Sequence, residues 1–151
     1  MDRSTGVQTS GLRGKCIRRC FRTCIGTVIY LKSIIDNAVT VLLTCSKVRL
    51  ASIKRVTLPC LELLAAIVAT RLLRYFSQAT ECDISKATLW SYSAIALAWI
   101  RGESNRYKTF VLNRVTEILE YTAPSQWRHC TASENPADIL SRGLHTQDLS
   151  T

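Results

Sequence analysis

Acidic residues are scarce in this chain and unevenly spread. Eleven Asp and Glu stand against 20 Lys and Arg, for a formal charge of +9. No acid at all lies between Asp2 and Asp36. A surplus of this sign favours a polyanionic partner, nucleic acid first and an anionic membrane surface second. Long apolar runs are also missing. The longest, Leu63 to Ala69, falls far short of the roughly 20 residues that cross a bilayer, and nothing reads as a secretory signal. The seven Cys are odd in number and contain no CxxC pair, which argues against a disulfide framework and against ordinary zinc spacing. Reduced thiols in an intracellular compartment, cytoplasmic or nuclear, are the plain expectation. With no internal repeat or low-complexity tract, 151 residues at 47% hydrophobic make one domain with a core of its own.

What is present has a clear order. Residues 1–14, "MDRSTGVQTSGLRG", are polar and glycine-bearing and read as a disordered leader. In "KCIRRCFRTCI" the residues Cys16, Ile17, Cys20, Phe21, Cys24 and Ile25 recur at helical spacing between Lys15, Arg18, Arg19 and Arg22, the pattern of a basic amphipathic helix. "GTVIYLKS" and "AVTVLLTCSKVRL", separated by "IIDN", are rich in β-branched residues and predict a hairpin. "TLPCLELLAAIVATRLLRYF" predicts the strongest helix, with Pro59 suited to a first turn and a stripe of Leu61, Leu64, Ala65, Val68, Leu72 and Phe76. A short strand over 87–92 runs through Ser91 and Tyr92 into a helix after Ser93. An amphipathic helix at about 107–121, a short strand at "SQWRHC" and a helix start at "NPADILS", with Asn135 as cap, complete the pass. Strands alternating with helices in this way predict an α/β domain with a partly parallel sheet.

Four stretches, "LASIKRVTLPCLELLAA", "LAWI", "SQWRH" and "NPADILSRGL", together resemble the ribonuclease H-like domain of BEL/Pao-type retrotransposon polyproteins, the domain beside the reverse transcriptase. The similarity runs from about Gly26 to Leu144. It divides the chain into a divergent basic leader at 1–25, the ribonuclease H-like domain at 26–144 and a truncated connection at 145–151, a degenerate fragment of a longer Pol polyprotein. The resemblance implies a mixed five-stranded sheet flanked by helices, with the first strand here degenerate or missing. It also implies cleavage of the RNA strand of an RNA–DNA hybrid, with four carboxylates converging on two Mg2+ ions. One ion activates water and the other stabilises the leaving oxygen, and magnesium's demand for oxygen ligands makes the acids hard to replace.

Position by position, two of those four carboxylates survive. Glu62 in "LPCLELLAA" matches the helix carboxylate, although an acid near a helix start is also favoured by the helix dipole alone. Asp138 in "NPAD" matches the last carboxylate, and would equally serve as an acid in a capped first turn. Where the family reads Trp-Thr-Asp-Ser, this chain reads Trp90-Ser91-Tyr92-Ser93. A neutral phenol thus replaces the metal-bridging aspartate. The first aspartate, in an Asp-Ala-Ser motif, has no counterpart; extended back without gaps, the register puts Arg19 there, a charge opposed to any divalent ion. The expectation is a chain inactive or nearly so as a nuclease, retaining at most weak binding of the hybrid or another nucleic acid, alongside possible neighbouring Pol domains. Lys47, Arg49, Lys54 and Arg55, ahead of the Glu62 helix, are the candidate phosphate contacts.

Two alternatives stand beside this reading. One is an interaction or membrane-surface role for the basic amphipathic helix at 15–25; the other is an active nuclease with a rearranged metal site. Trp90, Trp99 and Trp127 read as core residues, Arg114 with Glu117 as a helix-surface pair, and neither His129 nor His145 attracts a role. The basic segment raises a packing question: as a central strand it would bury Arg18, Arg19 and Arg22, so either another segment fills the centre of the sheet or the sheet is incomplete.

Overall fold

The centre of the sheet is filled by a segment that the sequence pattern leaves as leader. In the computed structural model, which describes residues 5–12, 24–35, 38–50, 56–103 and 106–131, strand β1 spans Thr5–Leu12. It pairs antiparallel with β2 (Cys24–Ile35) over eight registered positions, from Thr5 opposite Ser33 to Leu12 opposite Gly26. On its other side it runs parallel to β4 (Thr88–Ser91), with Ser10 opposite Trp90. β3 (Ala38–Leu50) lies outside β2, and β5 (Trp127–His129) lies parallel to β4, so the five strands run β3-β2-β1-β4-β5. The mixed five-stranded sheet is therefore present, and complete at its middle. Two expectations need correction here. Thr5–Leu12 is part of the domain and not a leader ahead of it, and Cys24 and Ile25 open a strand where a helix was predicted. The remainder of the predicted basic helix, residues 15–23, lies outside the described residues, as does the helix start at Asn135.

The hairpin of β2 and β3 forms as its β-branched composition demands. Ile29 pairs with Cys45 and Tyr30 with Leu43, so Thr44 is the extra residue of a bulge. Alternation along β2 sends Ile25, Thr27 and Ile29 towards the helices and Val28 and Tyr30 to the other face. Because paired residues share a face, Lys47 (opposite Thr27) and Arg49 (opposite Ile25) stand on the helical side of the edge strand.

Helix α1 (Leu58–Thr80) starts at Thr57, whose carbonyl accepts from Leu61 N at 3.0 Å, with Pro59 in its first turn. It ends at Glu81, which takes the left-handed conformation (φ 57°) usual at a helix C-terminus. Its length presses Leu63, Ala66, Ile67, Leu73 and Phe76 into the main core, while Leu61, Ala65 and Val68 pack on Ile25. α2 (Ala94–Arg101) is capped by Ser93, whose hydroxyl accepts from Ala96 N at 3.2 Å. It stops at Gly102, where a Cβ would lie 2.7 Å from the Ala98 carbonyl. α3 (Thr109–Tyr121) buries Val111, Val115 and Ile118 and ends on Thr122, which in turn accepts the Trp127 indole N–H at 3.0 Å. Of the three tryptophans, Trp127 is buried, Trp99 packs against the same core, and Trp90 is half-buried.

Candidate functional site: a tyrosine-closed corner

The carboxyl ends of parallel strands are where open α/β sheets meet their ligands. Here Ser91 ends β4, Tyr92 forms the turn, and Ser93 begins α2. Two hydrogen bonds hold the corner: Ser93 N donates to Ser91 Oγ at 3.2 Å, and Cys130 N to the Ser91 carbonyl at 3.1 Å. His129 Nε2 lies 3.1 Å from the Tyr92 carbonyl oxygen, a contact the sequence reading gave no role. Its signal was available in hindsight, since a residue two beyond Trp127 on the neighbouring parallel strand must end beside Tyr92.

Facing this corner, α1 carries Glu62, only 4% exposed in a stretch that is otherwise apolar. The Tyr92 hydroxyl donates to Glu62 Oε1. Two of the residues singled out by sequence, 30 positions apart, are thus joined directly. Behind them, the space bounded by Glu62, Ala65, Trp90, Ser91 and Trp127 has no room for a water molecule. On the central strand, Thr5-Gly-Val-Gln-Thr-Ser-Gly-Leu12 includes no carboxylate. Since that strand is residues 5–12, the gapless register that put Arg19 on it does not hold; Arg19 lies outside the described residues, as do Asp138, Lys54 and Arg55. Among the described residues, no group of three or more His, Cys, Asp or Glu side chains is arranged to hold a metal ion.

Lys47 and Arg49 are exposed on β3, apart from the Glu62–Tyr92 contact. Arg114 does not pair with Glu117 as its spacing suggested. Glu117 is held instead by Arg71 of α1, Nε to Oε1 at 2.5 Å and Nη2 to Oε2 at 3.0 Å. That hydrogen bond raises the Arg71 pKa, so its charge is permanent. Arg114 turns back along its own helix, its guanidinium 3.4 Å from the Phe110 ring centroid and Nη1 donating to the Phe110 carbonyl at 2.9 Å.

A mixed sheet ordered β3-β2-β1-β4-β5, backed by helices and presenting a buried helix carboxylate to the end of β4, defines a ribonuclease H-like α/β domain. A family model described as the Pao retrotransposon-like RNaseH-like domain matches residues 22–93, and over that stretch the chain is similar to that family. The match covers β2, β3, α1 and β4; the fold continues beyond it on both sides, through β1 and through α2, α3 and β5. No curated protein matches the chain. No helix among the described residues is long and apolar enough to cross a membrane.

Proposed function

We propose that this chain is a non-catalytic ribonuclease H-like domain that retains salt-sensitive binding of nucleic acid. The observation that carries the reading is the hydrogen bond from Tyr92 to Glu62. A two-ion centre of the kind the resemblance implies would need an anionic oxygen from the residue after β4. Here that residue is a neutral phenol that donates a hydrogen bond to the neighbouring carboxylate. A carboxylate engaged in this way offers a cation less of its lone-pair density, and the phenol ring occupies volume an aquated ion would need. With no acid on β1 either, the residues present do not fit a Mg2+ pair, and Asp138 alone with Glu62 leaves too few hard oxygens.

Nucleic-acid binding is supported by the net charge of +9 and by the exposed Lys47 and Arg49 on the edge strand, with Lys54 and Arg55 following in sequence. Contacts of this kind give affinity without sequence reading and weaken as salt rises. The test is to incubate the full chain with an RNA–DNA hybrid in Mg2+ and in Mn2+, beside Glu62→Gln, and to measure hybrid binding separately. No cleavage above background and salt-dependent binding are expected. Metal-dependent cleavage that Glu62→Gln abolishes would overturn the inactive reading; hybrid binding indifferent to the loss of Lys47, Arg49, Lys54 and Arg55 would overturn the assigned contacts.

A further inference from the structure

On the side of α1 turned away from Glu62 there is a groove of about 370 Å³ between the end of β3, α1 and α3. At about 100° per residue, Leu64, Ile67, Val68 and Arg71 stand roughly 140–240° round the helix axis from Glu62, so the groove and the tyrosine-closed corner are back to back. Its floor is aliphatic, from Ile25, Leu64 and Val68. Three guanidiniums, of Arg49, Arg71 and Arg114, line it with one carboxylate, Glu117. The sum of these four charges is +2.

The three cations are not equivalent. Arg71 is committed to Glu117 through both of its nitrogen contacts. Arg49 forms no ion pair with any described carboxylate. Arg114 is oriented by the Phe110 ring and carbonyl, and its Nε is buried with no hydrogen-bond partner. A guanidinium held in place in this way keeps a fixed orientation at the groove wall. A guanidinium fork matches phosphate oxygens in pairs, which an ammonium does not. Outside the groove the row continues: Lys47 and Arg49 share a face of β3 and stand about 6.6 Å apart along the strand, close to the separation of consecutive phosphates on one extended polynucleotide strand. The aliphatic floor suits an unstacked base, and a volume of about 370 Å³ is on the scale of single nucleotides.

We infer that the α1–α3 groove is a binding site for the phosphodiester backbone of single-stranded nucleic acid, held by Arg49 and Arg114 and approached along Lys47. It takes its choice of ligand from the nucleic-acid reading above but is independent of the Glu62 corner. The test uses the full chain and a labelled single-stranded RNA 12-mer, titrated across a salt series. Each lost phosphate contact should reduce the slope of log K against log salt by about 0.7, so Arg49→Gln with Arg114→Gln should reduce it by about 1.4. Lys32→Gln with Lys86→Gln, which removes the same charge elsewhere, should leave it unchanged. Arg49→Glu, at an exposed position, serves if the Arg114 variant fails to fold, and should reduce the slope on its own. On binding, the Nε–Hε resonance of Arg114 should shift.

Equal slopes for groove and control variants overturn the groove while leaving hybrid binding standing. Binding of inorganic tripolyphosphate without the oligonucleotide, or equal competition by poly-glutamate, overturns the assignment to a polynucleotide strand. An unmoved Arg114 resonance under saturating RNA does the same for its place in the site. Absence of all RNA and hybrid binding sinks this inference together with the reading it borrows from.

Discussion

Removing the Tyr92 hydroxyl should destabilise the domain, and should cost less where its acceptor is already gone. Tyr92→Phe keeps the ring and opens no cavity, and withdraws the donor from a carboxylate that is 4% exposed. Hydrogen bonds to such groups contribute about 1.5–3 kcal/mol; for a chain of this length, about 2 kcal/mol corresponds to a fall of roughly 4–8 °C in Tm. Glu62→Met retains length and volume but cannot accept this hydrogen bond. In the double variant this hydrogen bond is missing at both ends, so neither side chain is left facing an unpaired group across it. The assay is a double-mutant cycle by urea unfolding, read at constant m-value. Any other contact of Glu62 is lost on both arms of the cycle and cancels. A coupling of about 1–2 kcal/mol is expected; single effects that simply add, within about 0.5 kcal/mol, would show that the two side chains do not meet as described.

Three further outcomes follow from other parts of the fold. Gly102→Ala would bring a Cβ to within 2.7 Å of the Ala98 carbonyl and should cost about 1–3 kcal/mol, measured by thermal unfolding; a neutral result would mean that the end of α2 relaxes freely. The Asp83 carboxyl is held below its ordinary value by the side-chain hydroxyl of Ser85 and then by the Ser85 backbone N–H, at 2.9 Å from Oδ1. Its contribution is therefore present above the unfolded carboxyl range and lost as pH falls through the depressed value, and Ser85→Ala should move the midpoint upward in a carboxyl-carbon NMR titration; a midpoint that stays put would remove the hydroxyl from the account. Along β3, Val41 and Leu43 are 57% and 58% exposed on an edge strand of 13 residues. Val41→Lys with Leu43→Lys should suppress concentration-dependent light scattering with little change in Tm, and undiminished scattering would place self-association elsewhere.

Much of this architecture was legible because its elements carry their own periodicity. The stripe through Leu61, Ala65, Val68 and Leu72 predicts α1, and the β-branched runs either side of "IIDN" predict the hairpin. The Trp90–Ser93 corner could be located for the same reason, with Ser93 capping the helix that follows. β1 could not. Thr5–Leu12 has two glycines, no alternation and few apolar residues; its conformation is imposed by β2 on one side and β4 on the other, and tertiary pairing overrides weak local preference. The helical spacing of Cys16, Cys20 and Cys24 failed at its end for a related reason, since Cys24 and Ile25 are claimed by pairing with Leu50 and Arg49. At the site, sequence could name Glu62 and Tyr92 but not their contact, which depends on two elements meeting. Arg71 was hidden because its partner, Glu117, lies 46 residues away on another helix, beyond any rule of local spacing.

The position of β1 has a mechanical consequence for the whole molecule. It is the seam between an antiparallel pair, β2 with β3, and a parallel pair, β4 with β5. Were it withdrawn, no backbone ladder would link the two halves, and α1, which packs across β2, β1 and β4, would be left as the main brace between them. Eight unremarkable residues near the amino terminus thereby act as the keystone, and trimming them by proteolysis should split the sheet's cooperative unfolding into two separate events.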